Sequence, residues 1–138
     1  MKKLKVIALV LATVSFVQVY AQNASENSLA LNEEAKNAPL IEWKSQSHNF
    51  GEISRNQPVT VEFEFTNSGN AALVISEVKA SCGCTATGYP KQAVQPGESA
   101  KIIATYDAKA LGNFMKSIRV VSSSPEGTHT LTIKGTVI

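Results

Sequence analysis

Two cysteines separated by one glycine, Cys82-Gly83-Cys84, are the residues in this chain whose type and spacing single out a place for chemistry. Four readings fit them. The first is a disulfide. In a regular strand, residues two apart lie roughly 6.6 Å apart on one face, at the upper edge of what such a bond tolerates, and a glycine between them lets the chain bend. The loop it would close is so short that it removes little entropy from the unfolded chain. The loop-closure relation gives about 1.6 kcal/mol, against about 3 for a fifteen-residue loop. As a staple the pair is poor.

The second reading is a redox-active dithiol. Oxidoreductases usually lower a thiolate pKa at a helix N-terminus, whereas the nearest cation in sequence here is Lys79. The third is a metal site. Two thiolates on one face suit Cu(I) or Zn(II), and His48, His129 and Met115 are further donors, none at a recognised ligand spacing. The fourth is a pair of unbridged thiols that only fill space.

Other constellations are weaker. No strand-to-helix nucleophile elbow and no Gly-rich phosphate cradle occurs, so no catalytic residue and no cofactor is assigned. Glu62 and Glu64 alternate on one strand and share a face, as a catalytic pair would, but that face reads as solvated. Trp43 and Tyr89 are candidate binding anchors that read first as core or edge packing, and His129 reads as an ordinary sheet residue.

The elements that position these residues follow from composition and patterning. The 138 residues are 43% hydrophobic and 17% charged, which fits one globular domain, and two cysteines cannot build a disulfide scaffold, so a hydrophobic core must hold it. Lys2, Lys3 and Lys5 precede an uncharged stretch from Val6 to Gln22, interrupted by Thr13, Ser15 and Gln18. This pattern, with Val19-Tyr20-Ala21 before a cut at Ala21-Gln22, predicts a signal peptide over residues 1–21 and no transmembrane span in the mature chain. Removing it takes three of the 13 basic residues and no acidic one, leaving 10 against 11. The mild basicity therefore belongs to the leader, and no nucleic-acid motif remains. The expected location is periplasmic or secreted, including the cell surface, where a disulfide persists. Residues 22–39, rich in Asn, Ser, Glu and Ala, read as a flexible linker; the sequon Asn23-Ala24-Ser25 carries little weight.

From residue 40 to 138 the dominant period is two. In Val59–Thr66 four apolar residues face one way and four polar ones the other, which is a strand with one dry face. Further strands are expected at 41–43, 48–53, 72–79, 100–106, 115–122 and 129–137, with turns at Asn67-Ser68-Gly69-Asn70, Gln95-Pro96-Gly97-Glu98, Gly112-Asn113 and Pro125-Glu126-Gly127. About seven strands at this spacing predict an all-β, immunoglobulin-like antiparallel β-sandwich. The expected core is Phe50, Val61, Phe63, Phe65, Leu73, Ile75, Ile102, Ile118, Val120, Leu131 and Ile133.

An ordered set of short motifs carries a resemblance: Phe50-Gly51-Glu52-Ile53, Phe65-Thr66-Asn67-Ser68-Gly69, Leu73-Val74-Ile75, Cys82-Gly83-Cys84-Thr85, Pro96-Gly97-Glu98 and Ile133-Lys134-Gly135-Thr136-Val137. Residues 40–138 resemble the bacterial family catalogued as domain of unknown function 1573, itself similar to major sperm protein, pilus-chaperone-like and Hydin-type modules. The resemblance implies an exported β-sandwich common in Bacteroidetes-type bacteria, without established activity. Ser122-Ser123-Ser124-Pro125 departs from the family, which tends to place an Asn before the last hairpin.

The expected function is an exported, non-enzymatic module of the cell envelope that binds an unidentified protein partner or plays a structural role, with sheet edges within residues 41–53 as candidate surfaces. The alternative is a thiol-dependent redox or copper-binding protein using Cys82 and Cys84.

Overall fold

Residues 37–138, the part of the chain that the computed structural model describes, form eight strands. They are β1 (Ile41–Trp43), β2 (Ser47–Ile53), β3 (Val59–Asn67), β4 (Ile75–Ala80), β5 (Thr85–Gly88), β6 (Ser99–Tyr106), β7 (Gly112–Ser122) and β8 (Thr128–Val137). The expected signal peptide, and the linker as far as residue 36, lie outside the described residues. One sheet has the order β1-β3-β6-β5 and the other β2-β8-β7-β4. No helix among the described residues is long and apolar enough to cross a membrane.

Alternation builds both sheets. Phe63 and Phe65 on β3, Ile102 and Ala104 on β6, Ile118 and Val120 on β7, and Leu131 and Ile133 on β8 all point between the sheets and are buried. Of the expected core, Phe50 and Val61 are only half-buried and pack against it from the side. Tyr106 and Phe114, stacked with ring centroids 4.0 Å apart, close the core near them. Truncating Phe63 to Ala would leave a cavity costing on the order of 3–5 kcal/mol.

The all-β sandwich is as the periodicity predicts, with several differences: Gly112-Asn113, expected as a turn, open β7, and the strand expected at 72–79 begins only at Ile75. An eighth strand, β5, is four residues of Thr-Ala-Thr-Gly, too short and too weakly apolar to announce itself. And β2 runs parallel to β8, while the other pairings are antiparallel. Alternation reports which face is dry, not which neighbour a strand takes. After β1 the chain bends at Lys44–Gln46 and changes sheets, so β1 and β2 are edge strands of different sheets.

Asn67 shows how much a turn residue can hold. It is fully buried at the end of β3. Its Nδ2 donates to the carbonyls of Ala71 at 2.8 Å and Val94 at 2.9 Å, and its Oδ1 accepts from Leu40 N at 3.3 Å and Gly69 N at 3.1 Å. The side chain thus ties β1, the turn and the Leu73–Val94 bridge together. Gly69 is required beside it: a Cβ there would lie 2.3 Å from the Ala38 carbonyl.

Candidate functional site

The two lateral edges of the sandwich differ, and the chemistry-bearing residues divide between them. At the β4/β5 edge the chain passes from one sheet to the other through Ser81–Cys84. Cys82 and Cys84 are disulfide-bonded, with Cα atoms 5.3 Å apart, nearer than a regular strand would hold them. Both are half-buried, and Gly83 between them is exposed. The corner is fastened by Ser81 N to Ser117 O at 2.8 Å and by Asp107 N to Cys84 O at 3.0 Å. Beyond it, side chains cap the outer carbonyls of β4. The Thr87 hydroxyl donates to Val78 O at 3.4 Å and the Tyr89 hydroxyl to Ser76 O at 3.5 Å. Lys91 Nζ sits 3.4 Å above the Tyr89 ring. Tyr89 is therefore part of a side-chain seal over these two β4 carbonyls, while the outward main-chain groups of Thr87 on β5 face no strand among the described residues. Nearby, burial, followed by the charge of Asp107, raises the Tyr106 phenol above its ordinary pKa.

The other edge is open. β1 covers only the upper part of β3: Ile41, Glu42 and Trp43 pair with Asn67, Thr66 and Phe65, and the last bond runs from Lys44 N to Glu64 O at 3.0 Å. Main-chain groups alternate sides along an antiparallel strand, so the even-numbered residues of β3 address this edge and the odd-numbered ones address β6. Below Glu64, Thr60 and Glu62 aim their N–H and C=O groups outward with no strand opposite among the described residues. A groove of about 230 Å³ lies there, lined by Lys44, Ser45, Ser47, His48 and the stretch Val61–Glu64. It exists because the chain leaves β3 early to join β8.

Glu62 and Glu64 are engaged separately. Each faces a lysine, Glu62 with Lys101 and Glu64 with Lys44 at 3.3 Å, all of them partly or largely exposed. The Glu62 carboxylate, by hydrogen bond and by charge, raises the Lys101 ammonium above its ordinary pKa. The neighbouring edge of β2 is blunted instead: Gly51, at φ +68°, breaks its register with β8, and Asn49 Oδ1 accepts the Gly51 N–H at 3.0 Å.

The donors proposed for a metal stand apart. His48 packs edge-on against Phe50, Met115 is exposed, and His129 is buried beside Trp43. Among the described residues no three His, Cys, Asp or Glu side chains gather as a metal site. Trp43 packs on Phe65 with centroids 5.1 Å apart, and its buried indole Nε1 meets no acceptor among the described residues.

One constellation escapes the sequence reading. His129 Nε2 lies 3.1 Å from Ser124 Oγ and 3.3 Å from Ser122 Oγ, while its Nδ1 lies 3.3 Å from Glu126 Oε2. The order of groups matches a hydrolytic triad. Both serines are buried, however, and their hydroxyls are 2.8 Å from each other, so they are occupied in a polar plug under the β7–β8 turn. The unusual Ser122-Ser123-Ser124-Pro125 stretch was its only signal.

The geometry has known counterparts. The family model for DUF1573, a protein of unknown function, matches residues 41–137. The chain belongs to the DUF1573 family. Among solved structures, the DUF1573 domain is similar to a protein of unknown function from Porphyromonas gingivalis W83, with a TM-score of 0.65 at 16% identity over 74% of this chain and 48% of that one. The chain thus spans about half the length of that relative. It is also similar to the ASH/PapD-like domain 7 of human CEP192, at TM-score 0.62 and 10% identity, over 74% of this chain and 87% of that domain. The Vibrio cholerae VesB protease matches at TM-score 0.55 and 19% identity, over 73% of this chain but only 32% of the protease. At these identities the likeness is one of fold. No curated protein sequence matches the chain.

Proposed function

We propose that this DUF1573 domain is an exported, non-enzymatic interaction module of the bacterial envelope that captures an extended segment of a partner protein on the open edge of β3. The carrying observation is the pair Thr60 and Glu62, whose outward main-chain groups stand beside a groove with no strand opposite among the described residues. An extended segment laid antiparallel to β3 continues the line of β1 and gains main-chain hydrogen bonds for affinity. Its inward side chains would cover Val61, which is left half-buried. Export rests on the lysine-then-apolar leader, and the envelope location follows from it.

The test is capture from envelope extract with the wild-type chain and Thr60→Pro in parallel. Proline at 60 deletes an outward N–H and the exposed hydroxyl contact of Thr60 with Thr105 at 2.8 Å, but no main-chain bond of the β3–β6 ladder. A partner held by the wild type and lost with Thr60→Pro is the expected result. A partner that binds both equally, or turnover of an envelope substrate without any partner, contradicts the proposal.

A further inference from the structure

The sealed edge carries the bond that the interaction reading leaves unused. We infer that Cys82–Cys84 is a reversible dithiol–disulfide site of the folded domain, in which Cys82 is the sulfur that departs and returns as a thiolate.

Three observations converge. First, the bond spans a single intervening residue, so it constrains the unfolded chain little and has a weak claim to a stabilising role. Second, both flanks of the corner are anchored without it. Ser81 exchanges hydrogen bonds with Ser117, N to O at 2.8 Å and Ser117 N to Ser81 Oγ at 3.2 Å; Asp107 N holds Cys84 O; and β5 pairs with β6 over its whole length. The bond can therefore open while the two sheets stay in place. Gly83 is exposed, and apart from its neighbours Cys82 and Cys84 no described atom lies within 4 Å of the position a Cβ would take, so the outer side of the loop between the two half-buried cysteines is open.

Third, the two sulfurs have unlike surroundings. Cys84 packs against the hydrophobic core. Cys82 Sγ lies 3.8 Å from the hydroxyl of Thr85, which is itself buried. A disulfide sulfur has no proton, so Thr85 is the donor, and the same O–H supports negative charge on that sulfur once the bond breaks. On the exposed surface three residues upstream, Lys79 stands opposite Arg119 across β4 and β7, and neither has an ion-pair partner among the described residues. Like charges opposed in this way are unfavourable by themselves, and they attract an anionic thiol to this corner.

The chemistry is thiol–disulfide exchange with small thiols that carry carboxylates. A thiolate RS⁻ attacks Cys84 Sγ; the bond to Cys82 breaks, the R–S–S–Cys84 mixed disulfide forms, and the electron pair leaves on Cys82 Sγ. A second RS⁻ attacks the R sulfur, releasing RSSR and the Cys84 thiolate. Two electrons pass from two thiols to the protein, and water supplies the protons that the protein thiolates take up.

The site is tested on the full chain with reduced glutathione, an anionic thiol, by quenching, alkylating and counting adducts by intact mass while circular dichroism reports the sheets. Two alkyl groups per chain with an unchanged β spectrum is the expected result. Alkylation that appears only as the β signal is lost overturns the site. Thr85→Val should slow native-state reduction about tenfold, and Thr85→Ser should restore it. A Thr85→Val chain that reduces at the wild-type rate overturns the assignment of Cys82 as the departing sulfur. Cysteamine, a cationic thiol, should react several-fold more slowly than glutathione at matched thiolate concentration; equal rates remove Lys79 and Arg119 from the mechanism.

Discussion

At one lateral edge of this sandwich, β4 and β5 belong to different sheets, yet the Thr87 and Tyr89 side chains reach across and cap the main-chain carbonyls of β4. At the opposite edge the chain makes the same kind of crossing, from β1 to β2, and nothing comparable caps Thr60 and Glu62 among the described residues. The difference lies in chain length on the near side of each crossing. β5 and the residues after it run far enough to shield their neighbour, whereas β1 contributes three paired residues to a nine-residue strand. An uncovered sheet edge is a template for another chain, and proteins normally blunt it, as the Gly51 bulge does on β2. The β3 edge lacks that device, which is why the binding role is placed there.

Substitutions at the two edges should have unequal effects. Asn67→Ala should have the largest effect, about 2–4 kcal/mol by denaturant unfolding, because it removes four hydrogen bonds of a fully buried side chain and unties β1 from β3. It would also lengthen the open edge. Next come two neighbouring prolines. Val61→Pro deletes a hydrogen bond toward β6 and should lower stability by about 1–3 kcal/mol, while Thr60→Pro, facing the open edge, should lower it clearly less. Equal losses would mean that the β3 edge is not open. On the sealed side, replacing both cysteines by serine should change stability by no more than about 1.6 kcal/mol, read from the denaturant midpoint. Tyr89→Phe should be the mildest, within about 1 kcal/mol, because its hydrogen bond is long and exposed.

Much of this was legible in the sequence, and the reasons for the rest are specific. The Val59–Thr66 alternation announces β3 and its dry face because side-chain direction is a local property. The short strand β5, the parallel partner of β2 and the uncovered half of β3 depend on where the chain goes after a bend, and no local pattern encodes that. Asn67 reads as a turn residue because Asn-Ser-Gly is turn chemistry; its burial is visible only once β1 and Val94 are brought against it. The serines of the 122–125 stretch read as loop polarity for the same reason, and their place is beneath the turn, on His129. The Cys82-Gly83-Cys84 motif stands out by composition, but its asymmetry comes from Thr85, which the sequence presents only as one more β-branched residue.

Amide hydrogen exchange along β3 is the most direct test of the open edge as the binding surface. In the free protein the N–H groups of Thr60 and Glu62 should exchange far faster than those of Val61 and Phe63, and on adding the captured partner the first two should become protected. Thr60 and Glu62 amides as slow as Phe63 in the free protein, or unchanged by the partner, would mean that the β3 edge is not the binding surface.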